Sequence, residues 1–134
     1  MPVIAVQPFT MKNALLKLGA SNEYQKHVSA VEMVPTASSV IWTGLGGNTH
    51  TDVQTASWVC NLSFAQDWDT ADSLSRYLFE NEGETIAATF EPVAGGAGFT
   101  ANLVLTPGSI GGAVNSTAVA TVSLGSDKPV VVAP

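Results

Sequence analysis

Residues 54–92 read QTASWVCNLSFAQDWDTADSLSRYLFENEGETIAATFEP. In the first third Trp58, Cys60, Leu62 and Phe64 alternate with Val59, Asn61, Ser63 and Ala65. Period two with one large apolar face predicts a half-buried strand over 54–65. The next turn, Asp67-Trp68-Asp69-Thr70, offers Asp69 or Thr70 as acceptor for the free N–H groups of a helix start, and Asp72 adds negative charge where the helix dipole favours it. These features predict a helix over about 71–82. Leu74, Tyr77 and Leu78 stand at i, i+3 and i+4, which gives one apolar stripe, and Gly83 supplies the left-handed residue that ends many helices. A helix of about three turns is marginal alone because nucleation is costly, so it must lie on a sheet. From Thr85 the period returns to two, with Ile86, Ala88 and Phe90 on one side, until Pro92 closes the strand.

This order of strand, D-W-D turn, S-L-S-R-Y-L helix, glycine, strand and proline resembles the major tail tube proteins of long-tailed, siphovirus-like bacteriophages. The resemblance is strongest over 58–92, and strands expected at 99–106 and 117–124 extend it more weakly. It implies a β-sandwich with one helix whose copies close into rings, hexameric in that family, that stack into a hollow tube conducting DNA into the host. The partners it implies are further copies of the chain, a tape-measure protein in the lumen, terminator and tip proteins at the tail ends, and DNA in transit without specific binding. The location it implies is the virion tail, after synthesis in the host cytoplasm. A long loop or hairpin in the N-terminal half reaches the neighbouring ring in that family. By position, that role falls to 44–52, comprising Gly44, Leu45, Gly46, Gly47, Asn48, Thr49, His50, Thr51 and Asp52.

Composition sets independent limits. A chain of 134 residues with 46% hydrophobic content is expected to fold as one domain over 1–134 with a real core. No stretch approaches the ~18 apolar residues of a membrane span, and no secretory leader pattern opens the sequence, so membrane insertion is not expected. The single Cys60 has no internal disulfide partner and shares a face with Trp58 and Leu62, as a small core residue would. Charged residues are only 12% of the chain, about half the usual share, which suits surfaces that pack against copies of themselves without desolvating ions. Residues 1–27 hold Lys12, Lys17 and Lys26 against Glu23, a balance of +2, whereas residues 28–127 hold ten acids against Arg76 alone, a balance of −9. An acidic body argues against gripping nucleic acid, since phosphate binding depends on Lys and Arg. It suits a conduit wall that repels phosphates, and equally a merely soluble surface. The three lysines are candidates for contact with the acidic body of the next subunit, and Phe79, off the helical stripe, is a further contact candidate.

Elsewhere the sequence predicts strands at 14–18, 27–34 and 39–43. In the second, Val28, Ala30, Glu32 and Val34 compete with His27, Ser29, Val31 and Met33 for the inner face. Glycine-rich turns follow at 95–98 and 107–112, and a valine-rich tail at 128–132 is expected to add a strand to this sheet or to a neighbour's edge. The fold expected is mainly β, two packed antiparallel sheets in a sandwich or barrel-like arrangement with one short helix.

Sites of chemistry find little support. The glycine-rich segments lack the Lys of a P-loop. A calcium loop begun at Asp67 needs Gly at 72 and Glu at 78, where Asp72 and Leu78 stand. His27 and His50 lack ligands at zinc spacing, and no serine sits in a nucleophile elbow. No cofactor and no catalytic residue are expected. The Asn61-Leu62-Ser63 and Asn115-Ser116-Thr117 triplets match a glycosylation signal that has no meaning without secretion. The alternative function is a carbohydrate- or receptor-binding β-sandwich, a phage decoration protein or adhesin, using Trp42, Trp58 or Trp68 as a stacking platform; a small hydrolase ranks behind it.

Overall fold

The computed structural model describes residues 2–19, 22–54 and 56–133. Along the chain the elements are β1 Leu15–Leu18, β2 Asn22–Glu23, β3 Val28–Thr36, β4 Ser39–Thr43, β5 Thr49–Val53, β6 Ser57–Ala65, α1 Leu74–Glu80, β7 Thr85–Glu91, β8 Gly98–Val104, β9 Val119–Ser126 and β10 Val130–Val132. The fold is mainly β, with two antiparallel sheets and a single short helix, as expected. One sheet has eight strands in the order β2-β1-β7-β8-β9-β6-β3, with β10 beside β8; the other is the hairpin β4-β5. The large sheet does not close into a barrel, since β2 and β3 remain at its two ends.

Two halves of the large sheet share one core. Strands β8 and β9 pair at only two positions, Leu103↔Ser126 and Val104↔Gly125. On one side of that junction Leu16, Leu18, Ala88, Phe90, Ala101 and Leu103 are buried; on the other, Cys60, Leu62, Phe64, Ala120, Val122 and Leu124. All belong to the same apolar cluster. Each large side chain moved from water contributes about 1.5–3 kcal/mol, so this cluster is the main source of stability. The alternation read over 54–65 is the one observed in β6, where Cys60, Leu62 and Phe64 are the buried positions. Thr55 lies outside the described residues. In β7 the inner residues are Ile86, Ala88 and Phe90, again as the period requires.

The ambiguous strand β3 settles its phase through a bulge. The register with β6 shifts between Val28 and Ala30, so Val28 packs on the core before the bulge and Val31 and Met33 after it. One extra residue exchanges the faces, which is why neither simple alternation fitted. Pro35 is tolerated because β3 is an edge strand paired only to β6.

The helix begins later than its sequence suggests. Its cap is Ser73, not Asp69 or Thr70, and it spans seven residues. Asp67 ends β6's exit turn by accepting from the backbone N–H groups of Asp69 and Thr70, each at 3.1 Å. Asp72 then takes a left-handed φ of 63°, which no helix interior allows. Ser73 restarts the chain in an extended conformation, and its hydroxyl donates to the Asp67 carbonyl and accepts from Arg76 N–H. Leu74 and Leu78 are fully buried, with Tyr77 against the same core. Beyond the Asn81 cap, Gly83 has a φ of 86°, and its N–H donates to Leu105 O at 2.9 Å. The tail contributes β10 to this chain's own sheet, against Gly98, Phe99 and Thr100 of β8.

Burial sets an alkaline limit on the fold. Desolvation pushes the Cys60 thiol from its ordinary 9.0 to about 11. Desolvation, reinforced by Tyr77 and Asp72, pushes Tyr24 from 10.0 to about 12; its hydroxyl donates to the Asp72 carbonyl at 2.9 Å. Both raised values favour the protonated folded state. Their stabilisation is therefore complete below pH 9 and is lost as pH climbs through 11 and 12. Thermal unfolding followed across pH 8–12 should show a falling midpoint from pH 9 upward. The part between 9 and 10 should flatten in Cys60→Ala, measured against that variant's own midpoint at pH 8, while the fall above 10 that Tyr24 causes should remain.

Candidate assembly interface

The hairpin β4-β5 stands outside the core. Its ladder pairs Ser39↔Val53, Val40↔Asp52, Ile41↔Thr51, Trp42↔His50 and Thr43↔Thr49, and every one of these ten residues is exposed. Alternation sorts them into two faces. One carries Val40, Trp42, His50 and Asp52, which with Val53 and Gln54 line a shallow cleft of about 270 Å³. The other carries Ser39, Ile41, Thr43, Thr49, Thr51 and Val53 and no charge. At the base the Ser38 hydroxyl donates to Gln54 Oε1 at 2.8 Å, and Gln54 N–H donates to Ser38 O at 2.9 Å. The turn is 44–48, closed by Gly44 N–H to Asn48 O at 2.8 Å, with Gly47 at a φ of 82°.

Of the residues assigned to a flexible loop or hairpin tip at 44–52, Gly44, Leu45, Gly46, Gly47 and Asn48 form the turn of the hairpin. Thr49, His50, Thr51 and Asp52 belong to β5 instead. Two β-branched threonines at alternate positions suit a pleated strand, and β4, expected at 39–43, is its partner. A two-stranded ribbon is at best marginally stable in water. Here it also exposes 60% of Trp42, 65% of Ile41 and all of Leu45 at its tip.

A second unpartnered apolar surface lies in residues 2–11. They have no regular secondary structure, and Val3, Ile4, Val6 and Phe9 are largely exposed. The segment becomes fixed at Asn13, whose carbonyl accepts from Ala94 N–H at 2.7 Å. Sequence reasoning missed this segment, although its uncharged PVIAVQPF run was the available signal. It also missed Gln66, which clips residues 107–112 to the body by donating to Gly111 O and Val119 O and accepting from Gly111 N–H, each at 2.9 Å.

Lys12 is exposed ahead of β1, and Lys26 is exposed in the turn after β2. Lys17 is half-buried on β1, opposite Glu23. The salt bridge found among the described residues is Arg76–Glu80 at 3.1 Å, on the helix surface, so the lysines and most acids have no internal ion-pair partner there. Phe79 is half-exposed and meets Trp68 edge-on, with ring centroids 5.9 Å apart; Trp68 in turn donates to Gln66 Oε1 at 3.2 Å. Hydrogen bonds from the Thr70 side chain and backbone hold the Asp67 carboxyl below its ordinary range, a local turn function. Among the described residues no group of three or more His, Cys, Asp or Glu side chains is placed to hold a metal ion. No helix is long and apolar enough to cross a membrane.

Among the described residues, the hairpin and the 2–11 segment thus stand as exposed apolar elements beside charges that have no internal ion-pair partner. Neither a protein-family model nor a curated protein sequence matches the chain. A solved structure does: a chain in the cryo-EM structure of an extracellular contractile injection system, the PVC sheath-tube complex in its extended state. The TM-score is 0.65 at 14% sequence identity, and the match covers 95% of this chain and 93% of that one. Across nearly its whole length, this chain has the fold of a component of a sheath-tube complex.

Proposed function

We propose that this chain is a non-enzymatic structural subunit of a tail-like assembly, whose copies close into rings that stack into a hollow tube. The observation that carries the reading is the β4-β5 hairpin, a ribbon too small to be stable alone that presents Trp42, Ile41 and Leu45 to solvent. The shared fold with a sheath-tube component supports it, as does a surface poor in charge. Within this reading the ring is hexameric, and the tube belongs to a bacteriophage virion and conducts DNA. The −9 balance of residues 28–127 keeps phosphates from adhering to the wall. A tape-measure protein in the lumen and terminator and tip proteins at the ends complete the particle.

Head-to-tail stacking repeats one heterologous contact, and the charge asymmetry of the chain gives that contact a polarity. Lys12, Lys17 and Lys26 meet the acidic body of the next copy, with residues 44–52 and Phe79 adjoining. Reversing all three lysines to Glu should slow association at least tenfold at low salt, because like charges now face each other. Light scattering during assembly reads this directly. Wild-type rates in the triple variant would remove the lysines from the interface without touching the fold.

A second reading has one observation in its favour: Trp42 is exposed on the same hairpin face as His50 and Asp52, an aromatic platform with polar neighbours of the kind that stacks on sugars. Binding of soluble glycans that Trp42→Ala abolishes, in a chain that does not assemble, would favour that reading.

A further inference from the structure

The open seam of the large sheet is a slot for one more strand. Between the β1 and β3 sides lies a groove of about 430 Å³, walled by Ala14, Leu15 and Leu16 on one side and Val28, Ala30 and Val31 on the other. Phe90 forms part of its lining. Strand β3 is paired along β6 only, so its outer backbone N–H and C=O groups face the seam without a ladder. An unpaired edge beside an apolar floor is a template for strand addition.

The chain itself contains a segment of matching chemistry. Val3-Ile4-Ala5-Val6-Gln7 lies between Pro2 and Pro8 and carries no charge. Prolines cannot donate to a ladder, whereas the five residues between them can, and about five is the usual strand length. Period two would put Ile4 and Val6 on one face, toward the groove, and leave Val3, Ala5 and Gln7 on the other. In the isolated chain Val3 is 97%, Ile4 88% and Val6 83% exposed, so donor and slot are both unfilled.

We infer that residues 3–7 of one copy enter the seam between β1 and β3 of a neighbouring copy and complete its sheet. The inference rests on the self-assembly proposed above. The recipient is the neighbour, not the segment's own chain. Met11, Lys12 and Asn13 line the groove, and Asn13 is fixed by Ala94. Residues 11–13 thus bring the segment to the rim of its own slot, yet Val3, Ile4 and Val6 remain 97%, 88% and 83% exposed, so the isolated chain does not fill it. With a neighbour's segment in the slot each copy both gives and receives, as a propagating heterologous contact requires. Covering Ile4 and Val6, the two residues that face the groove, removes on the order of 300 Å² from water, well under half of the ~800 Å² per partner of a specific interface. The β4-β5 hairpin supplies an exposed apolar surface to make up the remainder.

Two full-length chains with different tags, one Val6→Cys and one Ala30→Cys, test this when mixed and treated with a short bis-maleimide. Both substitutions lie at exposed positions, and buried Cys60 is protected from the reagent. A covalent heterodimer is expected, suppressed at least tenfold by excess synthetic peptide of residues 2–9. Assemblies visible by electron microscopy without that heterodimer would overturn the strand exchange and leave the assembly reading standing. A cross-linked monomer from the Val6→Cys/Ala30→Cys double variant would assign the slot to the chain's own segment. A chain that neither assembles nor cross-links would refute both inferences.

Discussion

Replacing Phe64 with alanine is expected to lower the unfolding free energy by about 3–5 kcal/mol. Phe64 is fully buried on β6, in the half of the core that β6 shares with β9. Its ring also supports the crossing of residues 107–112: a Cβ built on Gly108 would lie 3.1 Å from Phe64 Cζ, 3.1 Å from Ala120 Cβ and 3.0 Å from Val122 Cγ1. The chain therefore passes over the ring at glycine distance. Neighbours held in sheet ladders on both sides, β3 and β9, cannot collapse into the space an alanine leaves. The cost should accordingly lie in the upper part of the range seen for aromatic truncations. Urea unfolding at pH 7 reads it directly, and the thermal midpoint should fall by more than about 10 °C. Val114→Ala, at a position 89% exposed, should remain within about 0.5 kcal/mol of wild type. Equal effects of the two substitutions would contradict the placement of the core.

Truncating Trp42 should act on assembly instead. The hairpin makes no part of the buried cluster, so Trp42→Ala should leave the thermal midpoint of the monomer within about 2 °C, in line with a surface change. In the assembly proposed above the same residue would become a large apolar anchor at a contact between copies. Anchors of this kind contribute at least about 2 kcal/mol, equivalent to a roughly 30-fold rise in the critical concentration. Ile41→Asp combined with Trp42→Asp places a charge on each face of the ribbon and should abolish assembly at any concentration wild type needs. Sedimentation across a dilution series separates these outcomes. Undiminished assembly in the double variant would show that the hairpin is not buried between copies.

The difference between these two predictions marks where sequence was informative. The inner faces of β6 and β7 were legible because alternation in Trp58–Phe64 and Ile86–Phe90 is a local property of a strand that has one buried face. The helix stripe of Leu74 and Leu78 was legible for the same reason. Its starting point was not, because Asp72 is held in a left-handed conformation next to a long-range contact. Tyr24, 48 positions away in sequence, donates to the Asp72 carbonyl, and no local window contains that partner. The phase of β3 depends on a bulge against β6, again a property of the pair and not of either strand. Val40-Ile41-Trp42 posed the opposite problem. Three consecutive large apolar residues make 39–43 a short apolar strand, yet β4 is exposed throughout. The strand formed where expected, and nothing among the described residues covers its apolar side chains.

The candidate contacts were less legible than the fold, and for a physical reason. Lys12, Lys17 and Lys26 draw attention as charges, whereas an interface core is built from apolar and aromatic groups with few charges. In the proposed assembly those groups are Val3, Ile4, Val6, Ile41, Trp42 and Leu45, all exposed in the single chain. In a sequence they cannot be told from core residues, and they stand out only once the rest of the molecule has closed without them.

Negative-stain electron microscopy of the purified full-length chain over a concentration series, paired with sedimentation of the same samples, tests the proposed assembly most directly. Self-assembly predicts stacked rings or hollow tubes of uniform diameter above a critical concentration, lost in the Ile41→Asp/Trp42→Asp variant. A chain that remains monomeric by both measures up to millimolar concentration, with its hairpin and its 2–9 segment still exposed, would contradict it.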